Sequence, residues 1–197
     1  MGLFSPSYKQ LTDEELMKLS SEGNARAFSE LYDRYAKKLL NYFFFRLWKD
    51  RERSEDLVHD LFTKIINNPD LFDPKRKFKT WVYSVANNMC KNEYRKESVR
   101  SGMQSTEELE TDIRSRDTDV LEDIHENEFK EALNEALDKI DDKHSEVFVL
   151  RHFQEMSIKE IAAILECNEG TVKSRLFNVT KRLAGELQVF NPLLNRI

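Results

Sequence analysis

Near the middle of the chain, a short basic loop follows an Asp-Pro turn and holds Lys75, Arg76, Lys77 and Lys79. The helical pattern that comes next carries one stripe at spacings of three and four residues, made of Trp81, Val85, Asn88, Asn92 and Arg95. Cations bind phosphates, aromatic rings stack on bases, and carboxamides hydrogen-bond to exposed base edges. This composition indicates a surface for single-stranded nucleic acid. The alternative is an ordinary amphipathic helix with Trp81 in the core and the asparagines in solvent.

A second candidate nucleic-acid surface lies towards the carboxyl end of the chain. Ser157 and Glu160 have the spacing of a capping box that begins a short helix, and a second helix runs from Glu169 to about Leu187. The turn between them, Glu166 to Asn168, lacks the usual glycine, and Asn168 could supply a left-handed conformation instead. Two helices joined in this way are typical of a helix-turn-helix that binds duplex DNA.

The second helix of this motif has a polar and basic outward side. With Val172 facing the core, a set of possible DNA contacts lies on or beside the opposite face: Gly170, Thr171, Lys173, Ser174, Arg175, Phe177, Asn178 and Lys181. Phe177 could contact a thymine methyl, Asn178 could pair with adenine, and Lys173 could bind guanine or phosphate. Arg175, nearer the edge of the core, suits a backbone phosphate. The alternative is a surface helix of an ordinary bundle.

The elements that position these two surfaces are helical. Long helical patterns without alternating strand runs predict an all-α chain of two small domains, residues 12–97 and 125–190, after an N-terminal leader over 1–11. Residues 98–124 are polar, acidic and poor in aromatics, which indicates a flexible linker. In the first domain, Thr12 to Glu15 have the pattern of a capping box, and Ser54 is expected to cap a helix.

Composition argues against several other classes of protein. The net charge of -5 does not itself indicate a nucleic-acid binder, but basic residues concentrate in 75–100 and acidic ones in 101–142. Cys90 and Cys167 form neither a disulfide framework nor a zinc site, so a reduced cytoplasm is the expected location. No apolar run has membrane length, and we expect no membrane contact. With no nucleophile beside a base and no ligand cluster, we expect neither enzymatic activity, nor a metal, nor a cofactor.

Four segments occur in a characteristic order: AFSELYDRYAKKLLNYFFFRL, SEDLVHDLFTKII, FKTWVYSVANNMCKNEYRK and SIKEIAAILECNEGTVKSRLFNVTKRL. Together they resemble the extracytoplasmic-function sigma factors of bacterial RNA polymerase. They are similar, in turn, to that family's first conserved helix, its polymerase-binding helix, its promoter-melting segment and its upstream-element reader. The resemblance covers about residues 12–97 and 126–187, and the four segments in this order around an acidic linker make it highly specific.

The resemblance implies a role for each domain. The first would bind the clamp helices of the largest polymerase subunit, through candidate contacts at Asp56, Leu57, His59, Asp60 and Phe62. It would also open the minus-ten element and capture a flipped base, through the loop from Asp73 to Lys79 with Asn88 and Asn92. The second domain would recognise the minus-thirty-five element.

The implied partners are core RNA polymerase, promoter DNA in duplex and single-stranded form, and an anti-sigma factor. The alternative is a conventional helix-turn-helix regulator that binds duplex DNA without replacing a sigma factor. That alternative would explain residues 157–187 but leave the basic loop and the stripe from Trp81 to Arg95 without a role.

Overall fold

A computed structural model of the protein describes residues 7–103 and 124–190, which form helices and no strands. The α-helices are α1 (Asp13–Ser21), α2 (Ala25–Arg46), α3 (Arg51–Asn67), α4 (Phe78–Met103), α5 (Ile124–Asp138), α6 (Asp142–Phe148), α7 (Ile158–Leu165) and α8 (Glu169–Glu186). Short 3-10 turns occur at Tyr8–Gln10, Pro69–Leu71 and Gln188–Phe190, and a π-helical turn at Val149–Phe153 continues α6. Within the described ranges, no helix combines the length and the apolar character needed to cross a membrane. The predicted all-α fold is confirmed.

Local signals set the start of each helix in the first domain. The α1 capping box forms as predicted, since Thr12 Oγ1 accepts from the Glu15 N–H at 3.2 Å and Glu15 Oε2 accepts from the Thr12 N–H at 2.8 Å. The prediction that Ser54 caps α3 is wrong. The N-cap is Asp50, four residues earlier, and the helix begins at Arg51. Ser54 is buried inside the helix, where its hydroxyl donates to the Asp50 carbonyl in the i−4 position.

Part of the predicted leader belongs to the first domain. Tyr8–Gln10 form a 3-10 turn that Arg34 of α2 holds in place. The Arg34 guanidinium donates to the carbonyls of Tyr8 and Lys9 at 3.1 Å and of Leu11 at 3.0 Å. Capping and periodicity could not predict this contact, because its acceptors are backbone carbonyls more than twenty residues away.

The helix that follows the basic loop is longer than its apolar pattern predicts. α4 continues to Met103, so the first residues of the predicted linker are helical. Polar residues can extend a helix through local pairs without an apolar stripe. Here Lys96 pairs with Glu93 at 2.7 Å, and the Ser98 hydroxyl donates to the Arg95 carbonyl at 2.9 Å. The rest of the predicted linker, 104–123, lies outside the described residues.

In the second domain, α7 and α8 form the predicted helix-turn-helix, but with a different turn. The capping box at Ser157 and Glu160 is present. Asn168 is not left-handed, because it serves as the N-cap of α8 and accepts from the Thr171 N–H at 2.7 Å. An N-cap residue needs an extended backbone, so the left-handed conformation falls instead on Glu166, with φ 54°.

The two domains pack against each other around a continuous core. α4 lies against α7, and buried residues of both domains, such as Tyr42, Val82, Leu150 and Ile161, belong to one apolar cluster. A smaller cluster joins α5 to α8 through Ala136, Leu137, Ile140, Val179 and Leu183. The end of α2, Tyr42 to Phe45, is apolar on all sides, and Tyr42 and Phe43 are fully buried in the large cluster.

Candidate nucleic-acid interface

The basic loop is a structured turn at the positive end of α4. Asp73 closes it: its Oδ1 accepts from the Lys75 N–H and its carbonyl from the Arg76 N–H, both at 2.9 Å. Glu14 of α1 supplies a cap from elsewhere in the chain, since its Oε1 accepts from the Phe78 N–H at 2.8 Å. These bonds fix the loop against α1 while the side chains of Lys75 and Arg76 remain exposed. The helix dipole adds positive potential at the same end.

The other two cations of the loop are engaged by the second domain. Lys77 Nζ lies 3.2 Å from Glu160 Oε1, in an ion pair that leaves most of the lysine side chain exposed. Lys79 is half-buried, and its ammonium donates to the Gln154 carbonyl at 2.6 Å. The loop therefore presents two free cations and two that contact the helix-turn-helix side of the molecule.

The stripe that follows the loop divides into a buried and an exposed part. Trp81 is buried between Phe72 and Phe78, with ring centroids 5.2 and 5.7 Å away. Its ring packs in the core and is not available to stack on a base. This is the position expected if the segment were an ordinary amphipathic helix. Further along, Asn88, Asn92 and Arg95 are exposed, and Arg95 Nη1 lies 3.4 Å from Asn92 Oδ1. The carboxamides and the guanidinium thus form an accessible polar surface.

A neighbouring row on α4 was not identified from the sequence. Tyr83 and Asn87 lie one and two turns beyond Lys79, and both are buried against the second domain. The Tyr83 hydroxyl donates to Gln154 Oε1, and Asn87 Nδ2 donates to the Ile164 carbonyl at 3.1 Å. The i, i+4, i+8 spacing of Lys79, Tyr83 and Asn87 was a usable signal, but their partners could not be read from periodicity.

The recognition helix α8 places its polar residues as predicted. Val172, Val179 and Leu183 are buried. Six of the eight predicted contacts are exposed: Gly170, Lys173, Ser174, Phe177, Asn178 and Lys181. Phe177 is the most conspicuous of them, because 67% of an apolar ring faces solvent. Thr171 is half-buried at the first turn, where its N–H and hydroxyl both bond to Asn168.

Arg175 lies at the inner edge of α8, as the sequence placed it. It is half-buried and close enough to act on Glu146 of α6. Burial raises the pKa of the Glu146 carboxyl, and the charges of Arg46, Lys91 and Arg175 oppose that rise. Arg175 therefore lies at the edge of the recognition surface, where its side chain is partly covered.

The candidate polymerase contacts on α3 separate into two groups. Asp56, His59 and Asp60 are exposed on one face of the helix. Leu57 and Phe62, in contrast, are 4% and 3% exposed, and Phe62 packs its ring on Phe28 and Tyr32. The inclusion of Leu57 and Phe62 as surface contacts does not match this structure, because their apolar side chains complete the core of the first domain. Only the three polar residues of the set present side chains to a partner.

Nowhere in 7–103 or 124–190 do three or more His, Cys, Asp or Glu side chains converge so as to hold a metal ion. The basic loop, the exposed part of the α4 stripe and the exposed side of α8 consist instead mainly of cations, amides and hydroxyls. Such groups bind phosphates and base edges rather than metals.

Comparison with known proteins assigns both domains to one family. Residues 31–100 match the family model of sigma-70 region 2, and residues 130–183 match that of sigma-70, region 4. The first match contains the basic loop and the stripe on α4, and the second contains the helix-turn-helix. Each candidate DNA surface therefore lies inside a matched region.

Individual relatives agree with the family models over most of the chain. RNA polymerase sigma factor YlaC of Bacillus subtilis is 34% identical over 149 residues, which cover 75% of this chain and 84% of YlaC. ECF RNA polymerase sigma factor SigX of the same organism is 30% identical over 171 residues, 85% of this chain and 87% of SigX. The fold is similar to that of sigma factor RpoE in its complex with the anti-sigma factor NepR from Bartonella quintana, with a TM-score of 0.62, 22% identity, and coverage of 82% and 97%. The chain belongs to the extracytoplasmic-function family of RNA polymerase sigma factors.

Proposed function

We propose that this sigma factor binds core RNA polymerase through α3, opens the minus-ten element with its first domain, and recognises the minus-thirty-five element with its second. The observation that carries the proposal is the pairing of two different DNA-type surfaces in one chain of this family. One is an exposed amide and arginine surface beside a basic loop, and the other is an exposed recognition helix. A conventional regulator needs only the second surface, and family membership does not favour that alternative.

The minus-ten assignment rests on the exposed part of α4 and the loop. Asn88 and Asn92 stand one helical turn apart, so two carboxamides can reach the same nucleotide. Lys75, Arg76, Lys77 and Lys79 lie at the start of the same helix, where they can bind the phosphates of the displaced strand. Arg95 extends this surface by a further turn. Capture of a flipped base costs unstacking energy. Hydrogen bonds to the exposed edge of that base offset this cost.

The minus-thirty-five assignment rests on the exposed side of α8. Lys173, Phe177 and Asn178 can reach base edges and a thymine methyl in the major groove, while Arg175 is placed to contact a phosphate. The remaining members of the surface, Gly170, Thr171, Ser174 and Lys181, lie at the first turn of α8 or along its exposed side. The Asn168 N-cap holds the amino end of α8 in a fixed geometry, which favours close approach of the backbone to DNA.

The polymerase contact rests on the exposed acidic face of α3. Asp56 and Asp60 are one turn apart, with His59 between them. Their apolar neighbours Leu57 and Leu61 are committed to the core, so this face is available to a basic surface of polymerase.

Regulation and location are proposed from the same family membership. RpoE, a structural relative, was solved in complex with an anti-sigma factor, and we infer that this chain also has a protein antagonist. A sigma factor works where polymerase works, which supports a cytoplasmic location. It initiates transcription without a reaction of its own, and polymerase supplies the catalysis.

Run-off transcription with purified core polymerase on a library of genomic fragments tests this function. We expect discrete transcripts that appear only when the full chain is added. Binding of the chain to duplex DNA with no transcript above the level of core polymerase alone would favour the conventional regulator.

A further inference from the structure

A small cleft lies between the start of α6 and the recognition helix α8. Its volume is about 80 Å³, and six side chains line it: Ile140, Asp141, His144, Asn178, Val179 and Arg182. Ile140 and Val179 are buried, so the four polar side chains form the accessible part of the cleft. Because Asn178 belongs to the proposed minus-thirty-five surface, the cleft adjoins the side of α8 that would face DNA.

Arg182 supplies an unpaired cation to this cleft. It is exposed on α8, one helical turn beyond Asn178. Its guanidinium forms no ion pair or hydrogen bond with any residue that the structure describes. The acid one turn further along, Glu186, is engaged elsewhere, since its Oε2 lies 3.4 Å from Lys139 Nζ. An arginine without a carboxylate partner can donate two parallel hydrogen bonds to a phosphate group.

Asp141 and His144 form a bonded pair in the same cleft. His144 Nδ1 lies 2.8 Å from Asp141 Oδ1 and 2.7 Å from Asp141 Oδ2, and this bond lowers the pKa of the Asp141 carboxyl. Because an ionised carboxylate can only accept, Nδ1 carries the proton. In the neutral imidazole, Nε2 is then an acceptor, which opposes an anion. Nε2 becomes a donor only when the ring is protonated.

Protonation of His144 decides the net charge of the cleft. With a neutral imidazole, the charges of Asp141 and Arg182 cancel, and with a protonated one the cleft is cationic. The nearby charges add little to this balance, because Asp142 and Lys143 on the same turn are exposed and of opposite sign. The pair of Lys139 and Glu186 is likewise neutral. No residue of α5 itself lines the cleft.

We propose that this cleft binds one backbone phosphate of the minus-thirty-five duplex, with Arg182 as a constant donor and His144 as a donor only when protonated. The inference rests on the proposed function of α8 and adds to it a contact and a dependence on pH. A helix in the major groove, about 12 Å wide, lies between two phosphate backbones, so a cation one turn from a base-reading residue can reach a phosphate. The phosphate contact sets the position of Asn178, which reads the base.

The first experiment measures how salt affects promoter binding by the full chain with core polymerase, on duplexes of varied upstream sequence. Arg182→Gln should weaken binding to every sequence by about threefold to tenfold and reduce the salt slope by about one, without changing the preferred sequence. Arg26→Gln removes the same charge from an exposed position on α2 and should leave affinity and slope unchanged. A wild-type salt slope in the Arg182 variant would overturn the phosphate site.

The second experiment repeats this measurement from about pH 8 to about pH 6, the range in which an ordinary histidine gains its charge. Wild-type affinity should rise by about threefold to tenfold relative to the His144→Gln variant, because only the wild type gains a donor at Nε2. His152→Gln changes a ring that stacks on Phe148 and does not line the cleft, and it should keep the wild-type pH dependence. Equal pH dependence in the wild type and the His144 variant would contradict the proton-dependent contact.

A third variant tests the sign of the remaining charge. Asp141→Asn removes a carboxylate beside the bound phosphate, so it should tighten binding to all sequences. Asp33→Asn makes the same charge change at an exposed position on α2 and should have no effect. Weaker binding by the Asp141 variant, with helical circular dichroism intact, would contradict an anion site. If the wild type prefers no upstream sequence, the proposed function of the second domain fails, and the salt slope of the Arg182 variant still reports whether the cleft binds phosphate.

Discussion

At the residue scale, adjacent side chains on α4 have opposite environments. Asn87 is buried and bonded to the second domain, whereas Asn88 is exposed, as is Asn92 one turn further along. A helix turns by about 100° per residue, so neighbours in sequence face different partners. The roles proposed for the three asparagines differ for this reason, and substitutions can separate them.

Replacing Asn88 and Asn92 together by Ala should remove the amides proposed to hold a flipped base. Transcription from a fully paired promoter should fall by roughly tenfold to a hundredfold, as loss of base contacts worth about 1–3 kcal/mol predicts. A template with a pre-opened bubble should recover part of the loss, because it needs no base extrusion. Run-off transcription on the two templates measures both effects.

Asn41→Ala is the matched control for this pair, since Asn41 is an exposed helical asparagine on α2, away from the basic loop. It should leave both templates unaffected. If the Asn88 and Asn92 double variant transcribed the paired promoter at the wild-type level, these amides would not hold the base. Base capture would then be assigned to the loop from Asp73 to Lys79.

Side chains of the recognition helix should separate into specific and non-specific contacts. Phe177→Ala or Asn178→Ala should reduce discrimination among upstream sequences by about 1–3 kcal/mol per lost base contact. Arg175→Ala should weaken all sequences alike and flatten the dependence of affinity on salt. Holoenzyme binding to duplexes of varied upstream sequence, at several salt concentrations, distinguishes them. A change in the preferred base in the Arg175 variant would show that the faces of α8 are assigned wrongly.

At the element scale, the capping box of α7 should make stability depend on acid. Burial alone would raise the pKa of Glu160, but bonds from Ser157 and the Lys77 ammonium outweigh it and hold the pKa at about 2, below the ordinary 4.5. Because the pKa is lowered by folding, the contribution is complete above 4.5 and is lost as the pH falls towards 2. Ser157→Ala should cost about 1 kcal/mol at neutral pH.

The cost of Ser157→Ala should shrink across this acidic window, because the wild type loses the same bonds when Glu160 is protonated. Denaturant unfolding followed by circular dichroism at a series of pH values measures the difference in stability. Thr63→Ala, an exposed threonine inside α3, should give a difference that does not vary with pH. A constant cost of Ser157→Ala from pH 7 down through the window would be inconsistent with this role of Glu160.

The acidic face of α3 should be needed for polymerase and dispensable for folding. Asp56→Lys with Asp60→Lys should weaken the complex with core polymerase by at least about tenfold, since like charges would then face a basic surface. Both residues are exposed, so helical circular dichroism should not change. Glu22→Lys with Asp33→Lys makes the same charge change at exposed positions elsewhere, and should bind normally in a pull-down assay. Equal binding of core polymerase by both variants would show that the acidic face of α3 is not the polymerase contact.

The elements themselves were largely predictable from local chemistry. The capping boxes at Thr12 and Ser157 gave helix starts because each is a local hydrogen-bonding signal. Errors arose where two local options competed. Asn168 could be left-handed or an N-cap, and the bond to Thr171 decided for the N-cap. The resemblance to a polymerase-binding helix offered Leu57 and Phe62 as partner contacts, and their burial assigns them to the core.

At the scale of the whole molecule, the docking of the domains could not be predicted from the sequence. Its acceptors include backbone carbonyls of Gln154 and Ile164, which carry no residue-type signal. Its buried ion pair joins Arg46 to Glu146 across a hundred positions, with the predicted linker between them. Periodicity identifies which side of a helix is apolar, but not which distant helix covers a polar side.

The most direct test of the central claim is permanganate reactivity of unpaired thymines on a promoter obtained from the run-off library. With core polymerase and the full chain, thymines across the minus-ten element should become reactive, while core polymerase alone or the chain alone should leave them protected. The Asn88 and Asn92 double variant should lose this reactivity and retain binding to the upstream duplex. A chain that binds the duplex with polymerase present and never makes these thymines reactive would contradict the assignment of promoter opening to its first domain.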